Sequence, residues 1–105
     1  MNYKVTHSVP ADLDLDGIIH YIVFRLKNST AARDLLEEYE KKLAGLRQNL
    51  RMYGLSQIER LARLGYRRFV FGNYIAFYTI DEENRQVYIV RIFYQKQDYE
   101  KVFEI

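Results

Sequence analysis

The stretch Gly65-Tyr66-Arg67-Arg68-Phe69-Val70-Phe71-Gly72-Asn73-Tyr74-Ile75-Ala76-Phe77-Tyr78-Thr79-Ile80 decides the fold. Its Tyr, Phe, Val and Ile residues favour strands, and Gly72-Asn73 is a two-residue hairpin signal between two of them. Such a loop sets Phe71 opposite Tyr74, Phe69 opposite Ala76 and Arg67 opposite Tyr78. Arg67, Phe69, Phe71, Tyr74, Ala76 and Tyr78 then share one face of a sheet. Arg68, Val70, Ile75 and Phe77 share the other. Both faces are largely apolar, so the pattern leaves open which of them meets the rest of the chain.

Downstream, Asp81-Glu82-Glu83-Asn84 marks a turn and Gln86 to Tyr94 reads as a further strand. The tail from Gln95 to Ile105 is polar, with Tyr99, Val102 and Phe103 expected to dock on the sheet edge. Upstream, Tyr53-Gly54 ends a long helical pattern, and residues 55–64 mix Leu with Arg, leaving room for a short helical turn after Ser56. The helical pattern before Tyr53 carries an apolar stripe of Ala32, Leu35, Leu36, Tyr39, Leu43, Leu46 and Leu50. Its acids come early (Asp34, Glu37, Glu38) and its bases late (Lys41, Lys42, Arg47), as the helix dipole favours. Asn28-Ser29-Thr30 offers its capping oxygens. Before that break, Ala11, Leu15, Ile18, Ile22 and Leu26, broadened by Ile19, form a first helical stripe. Ser8 is its cap and Pro10 lies in its first turn. Tyr3 to Ser8 alternates at period two, a short strand. The order β-α-α-β-β-β is an α+β domain, a small antiparallel sheet with a helical hairpin packed on one face. The other face is left to be solvated or to hold the function.

The length of 105 residues fits one domain over 1–105. With 49% hydrophobic and 29% charged residues, the composition is globular. Cysteine is absent, which removes disulfides, thiolate metal sites and thiol nucleophiles. No signal peptide is visible, and no apolar run approaches the roughly 20 residues of a membrane span. The expectation is a cytoplasmic protein without a membrane partner. The net charge of +2 hides an asymmetry. From Lys41 to Arg68 there are eight bases against Glu59 alone, an excess of +7, leaving 8 bases and 13 acids elsewhere. A basic middle suits an anionic partner, either nucleic acid or an acidic protein segment, although a solvated helix end and loop would look the same.

Asp12-Leu13-Asp14-Leu15-Asp16-Gly17 copies the start of a calcium loop, but the twelfth position, which needs a bidentate acid, is Val23. The plainer reading is an acidic helix start. His7 and His20 are the only histidines, and no triad or metal-spaced pair can be built from them. Gly65 and Gly72 are isolated turn glycines, not a phosphate loop. No metal and no cofactor are expected. What remains is a set of bases and tyrosines on and after the strands: Arg67, Arg68, Tyr78, Arg91, Tyr94, Lys96 and Tyr99. Arginine grips phosphate through two parallel hydrogen bonds, and tyrosine offers a stacking face and a hydroxyl. The plainer alternative is that the tyrosines flank the core and Arg91 pairs with a carboxylate.

From Tyr3 to Phe103 the chain resembles the RelE/ParE family of toxins from bacterial toxin–antitoxin pairs. The carriers are Ala11-Asp12-Leu13, Tyr21-Ile22 and Ala31-Ala32 in the hairpin, then Gly65-Tyr66-Arg67 and Asn73-Tyr74-Ile75-Ala76-Phe77-Tyr78. Val90-Arg91-Ile92-Phe93-Tyr94 and Gln97-Asp98-Tyr99 complete them. The resemblance implies a toxin silenced by a small, usually acidic, cognate antitoxin, dimeric or hetero-oligomeric with it. RelE-like members cleave mRNA on the ribosome and ParE-like members inhibit DNA gyrase. The ribonuclease branch carries an arginine just after the third-strand tyrosine, where this chain has Ile75. The family's basic pair near the fourth strand's end appears here as Tyr94, Lys96 and Gln97. A gyrase-directed toxin is the first expectation. An mRNA endoribonuclease, with Arg67, Arg91, Lys96 and Tyr99 as its catalytic set, is the alternative, and an inactive interaction domain of the same fold is a third. In the ribonuclease case tyrosine or Asp98 would move the proton, tyrosine being a plausible acid but a poor base at pH 7. For binding, Arg63, Arg67, Arg68, Tyr78 and Tyr94 are expected to meet the partner, the arginines along one groove between hairpin and sheet.

Overall fold

A computed structural model of the chain describes residues 3–49, 53–99 and 101. Strand β1 (Lys4–His7) leads into helix α1 (Val9–His20) and a π turn (Tyr21–Arg25). Helix α2 (Ser29–Gln48), the short helix α3 (Glu59–Arg63) and strands β2 (Arg67–Phe71), β3 (Tyr74–Asp81) and β4 (Gln86–Tyr94) follow. The sheet order is β1-β4-β3-β2. The expected β-α-α-β-β-β order holds, and β2–β3 and β3–β4 are antiparallel. β1, however, pairs with β4 in parallel, Lys4 opposite Gln86 through His7 opposite Ile89. Period-two alternation carries no strand direction. The whole hairpin of helices lies between β1 and β4 in sequence, long enough for a parallel crossover.

Both helix starts form from the oxygens the sequence offers. Ser8 Oγ accepts the Ala11 amide at 3.1 Å and donates to the Val90 carbonyl at 2.6 Å. Asn28 Oδ1 accepts the Ala31 amide at 3.0 Å. α1 does not run cleanly to Leu26. The Leu26 amide reaches back five residues to the Tyr21 carbonyl, a π-type widening that rotates the helix face, and the Asn28 amide reaches back six to that of Ile22 as the helix ends. Ile22 therefore stays buried while Leu26 is 56% exposed, which removes Leu26 from the expected core stripe. In α2, Ala32, Tyr39, Leu43 and Leu46 are buried, and Leu50 lies outside the described residues.

The two-residue loop forms as read, with Phe71 opposite Tyr74, Phe69 opposite Ala76 and Arg67 opposite Tyr78. Gly72 has φ +55° and is the first of the two loop residues, the place where a type II′ hairpin needs glycine. Its amide donates to the Glu38 carboxylate at 2.9 Å, tying the turn to α2. The sheet's two faces are now distinguished. Phe69, Phe71, Ala76, Tyr78, Val87, Ile89 and Ile92 pack with Tyr39, Leu43, Leu46 and Ala11 on the helix side. Ile75, Phe77 and Phe93 form a smaller cluster on the other side with Leu61 of α3, flanked by Ile58, Tyr66, Val70, Val90 and Tyr99. A bulge at Phe77/Tyr78 puts Arg91 opposite Phe77 and Ile89 opposite Tyr78. Tyr99 docks on the second face, not on the edge, stacked on Phe93 at 5.6 Å and 5.4 Å from Phe77. Val102 and Phe103, the rest of that expected contact, lie outside the described residues.

Candidate functional site

Successive strand residues point to opposite faces, and this separates the arginines that sequence placed side by side. Arg67 lies on the helix side and donates from Nη1 to the Tyr53 carbonyl at 2.7 Å, fastening the loop before α3. Arg68 lies on the other side. Arg63 stands on the solvent side of α3 and pairs with Glu59 one turn earlier. One groove holding all three, as expected from the charge run, does not form. Tyr78 is also corrected: with 0% exposure it belongs to the helix-side core and presents no surface to a partner.

Arg91 takes the plainer of its two readings. Its Nε and Nη2 meet the two carboxylate oxygens of Asp14 at 2.7 and 3.0 Å, a bidentate pair. The same carboxylate accepts the Ile92 amide at 2.9 Å. β1 pairs only as far as Ile89, so α1 takes over that edge of β4: Ser8 serves the Val90 carbonyl and Asp14 the Ile92 amide. The calcium-like acid run is thus helical, and Asp14 is spent on β4. Among the described residues no group of three His, Asp or Glu side chains is placed to hold a metal ion.

Two concavities stand out among the described residues. A groove of about 780 Å³ runs between α1 with its π turn and the end of β4. Leu13, Gly17, Tyr21, Tyr74, Arg91 and Tyr94 are among its walls. Tyr74 and Tyr94 meet edge to face at 5.9 Å, and burial, with Tyr21 and Tyr94 alongside, pushes the Tyr74 hydroxyl pKa up. Leu13 and Leu26 in its walls are exposed, and Val9 of α1 and Phe24 of the π turn are further exposed apolar side chains. Sequence reasoning passed over Val9, Leu13 and Phe24 as exposed apolar surface and counted Leu26 in the core stripe. The available signal was Val9, Leu13 and Tyr21, apolar residues at multiples of four that lie off the core stripe. The second concavity, about 120 Å³, lies on the opposite face of the sheet, between the residues before α3 and Tyr99. Arg68, Ser56, Gln57, Gln95 and Tyr99 line it over Val70, Ile75 and Phe77.

The sites proposed for catalysis therefore divide. Arg67 is on the helix side, Arg91 is at the β4 edge with Asp14, and Lys96 is exposed in the turn after β4. Tyr99 shares its pocket with Arg68, and Tyr94 shares its groove with Arg91. Both histidines serve packing: His7 Nε2 lies 2.6 Å from the Tyr39 hydroxyl and His20 lies against Phe24 at 4.5 Å. Burial lowers the His7 pKa, against the opposing pull of Asp12 and Glu40, and pushes that of Tyr39 up.

The fold is similar to a chain of a chromosomal ParDE toxin–antitoxin system from P. aeruginosa. The TM-score is 0.63 at 20% identity, over 86% of this chain and 92% of that one. It is also similar to a chain of the toxin–antitoxin complex RelBE2 from Mycobacterium tuberculosis, with a TM-score of 0.57 at 21% identity over 90% and 99% of the two chains. At these identities the likeness speaks for the fold alone. A search of curated proteins gives no match. Residues 5–99 match the family model described as the ParE toxin of type II toxin-antitoxin system, parDE. With that match running from β1 through all four strands to Tyr99, the chain belongs to the ParE toxin family of type II toxin–antitoxin systems.

Proposed function

We propose that the chain is a ParE-like growth inhibitor that acts in the cytoplasm by binding DNA gyrase and is neutralised by a cognate antitoxin. The observation that carries the reading is Ile75. It stands where ribonuclease relatives have an arginine, and it is 5% exposed among Phe77, Phe93 and Leu61. An apolar contact replaces a phosphate-binding charge. The scatter of Arg67, Arg91, Lys96 and Tyr99 supports the same reading, since phosphoryl chemistry needs charge and proton donors converging on one phosphorus. The tyrosine-lined groove and the exposed apolar flank of α1 suit a protein partner, with aromatic anchors at its centre. The antitoxin would sit there, in a hetero-oligomer.

Arg68 beside Tyr99 favours a second reading, an mRNA endoribonuclease with a reduced site. Induced expression without the antitoxin separates the two. Filamentation with loss of DNA supercoiling is the expected phenotype. Rapid translation arrest with cut transcripts would select the ribonuclease, and normal growth would select an inactive interaction domain.

A further inference from the structure

The small pocket behind β2 has the chemistry of a receptor for one negative charge. Arg68 Nε is buried there and has no hydrogen-bond partner among the described residues. The Ser56 hydroxyl accepts the Ile58 amide at 3.1 Å, which leaves its own proton to donate. Tyr99 and Gln57 also line the pocket and carry donor groups, and no described residue lining it is acidic. The floor is Ile75, Phe77 and Val70, a low-dielectric surface against which a charge-assisted hydrogen bond gains strength. A half-buried guanidinium with one N–H unsatisfied gains most from an acceptor that carries charge.

We propose that this pocket is a socket for a carboxylate, filled by a glutamate or aspartate side chain of a protein partner. The proposal rests on the reading that the chain works through protein contacts. Two features favour a carboxylate over an RNA phosphate. Among the described residues a single cation lines the socket, whereas a nucleic-acid track needs several along the backbone. The apolar floor suits the methylene stem of an acidic side chain, and the volume of about 120 Å³ takes a carboxylate and that stem but no nucleotide. Arg68 would grip the oxygens from one side, with Ser56 and Tyr99 completing the cradle.

The test is an NMR titration of the full chain that follows the Arg68 Nε–H resonance at constant ionic strength. The probes are N-acetyl-glutamate methylamide, its glutamine counterpart, inorganic phosphate and a short single-stranded RNA. The glutamate probe should give a saturable shift and the glutamine probe none. Arg68→Gln should abolish binding, and Tyr99→Phe, which keeps the stacked ring, should weaken it several-fold with the backbone spectrum preserved. No shift with glutamate, or equal shifts with glutamine, would overturn the socket. Tighter binding of RNA or phosphate at Arg68 would overturn the carboxylate assignment and turn the pocket towards nucleic acid. The titration requires no toxicity, so a failure of the gyrase reading leaves its result intact.

Discussion

The two faces of the sheet are built from the same kinds of residue and are put to different uses. On the helix side, α2 brings Tyr39, Leu43 and Leu46 onto Phe69, Phe71 and Tyr78, and the rings interlock at centroid distances of 4.7–6.0 Å. On the other side a five-residue helix contributes Leu61 alone among its fully buried side chains, and Tyr99 lies over Phe93 and Phe77. One face is closed by a long helix and holds the fold together. The other is thinly roofed, keeps a pocket, and has an arginine at its rim. Apolar composition is common to both, and Ile75, Phe77 and Phe93 are nearly as buried as Phe69 and Phe71, so what covers each face, not hydrophobicity, separates the stabilising face from the available one.

The sharpest way to break this comparison is to cut an aromatic from each face. Phe71→Ala leaves a cavity beneath α2 and should cost about 3–5 kcal/mol, as read from urea unfolding. Tyr99→Ala removes a half-exposed ring and should cost about 1 kcal/mol. Equal losses would mean that the second face is as structural as the first. Next in size is the seam at the β4 edge. Asp14→Ala frees Arg91 and strands the Ile92 amide, at about 2 kcal/mol. Asp14→Asn, which keeps an acceptor for that amide, should lose less. Ser8→Ala removes a helix cap and the bond to Val90, at about 1 kcal/mol, measurable as a lower unfolding midpoint.

The smallest effect is a pH dependence confined to the helix side. Burial lowers the folded-state pKa of His7, so below the unfolded value of about 6.5 the unfolded chain binds more protons than the folded one. Stability should therefore fall as pH drops through that value and level off above it. His7→Gln should flatten the slope in unfolding curves taken from pH 5 to 8.

Much of the helix-side architecture was legible because periodicity and turn chemistry are local. Gly72-Asn73 fixed the β2–β3 register, and Ser8 and Asn28 announced their helices. The direction of β1 was not legible, since alternation reads the same both ways along a strand. Nor was the π turn, which moves Leu26 from core to surface by a single residue of helical slack. The site was less legible than the fold for a related reason. Arg67 and Arg68 are neighbours in sequence and opposites in space, and Arg91 finds its carboxylate 77 residues away. Charge runs report composition along the chain, whereas a pocket is assembled across it.

Inhibition through protein contact, on a scaffold whose phosphate-handling residues do not converge, can be read with the purified chain in two parallel reactions. One follows gyrase-driven supercoiling of relaxed plasmid, the other follows cleavage of mRNA on translating ribosomes. Supercoiling should be inhibited at concentrations that leave the transcripts intact, with cognate antitoxin restoring it. Ribosome-dependent cleavage, lost in Arg68→Ala or Tyr99→Phe while gyrase stays fully active, would contradict the account.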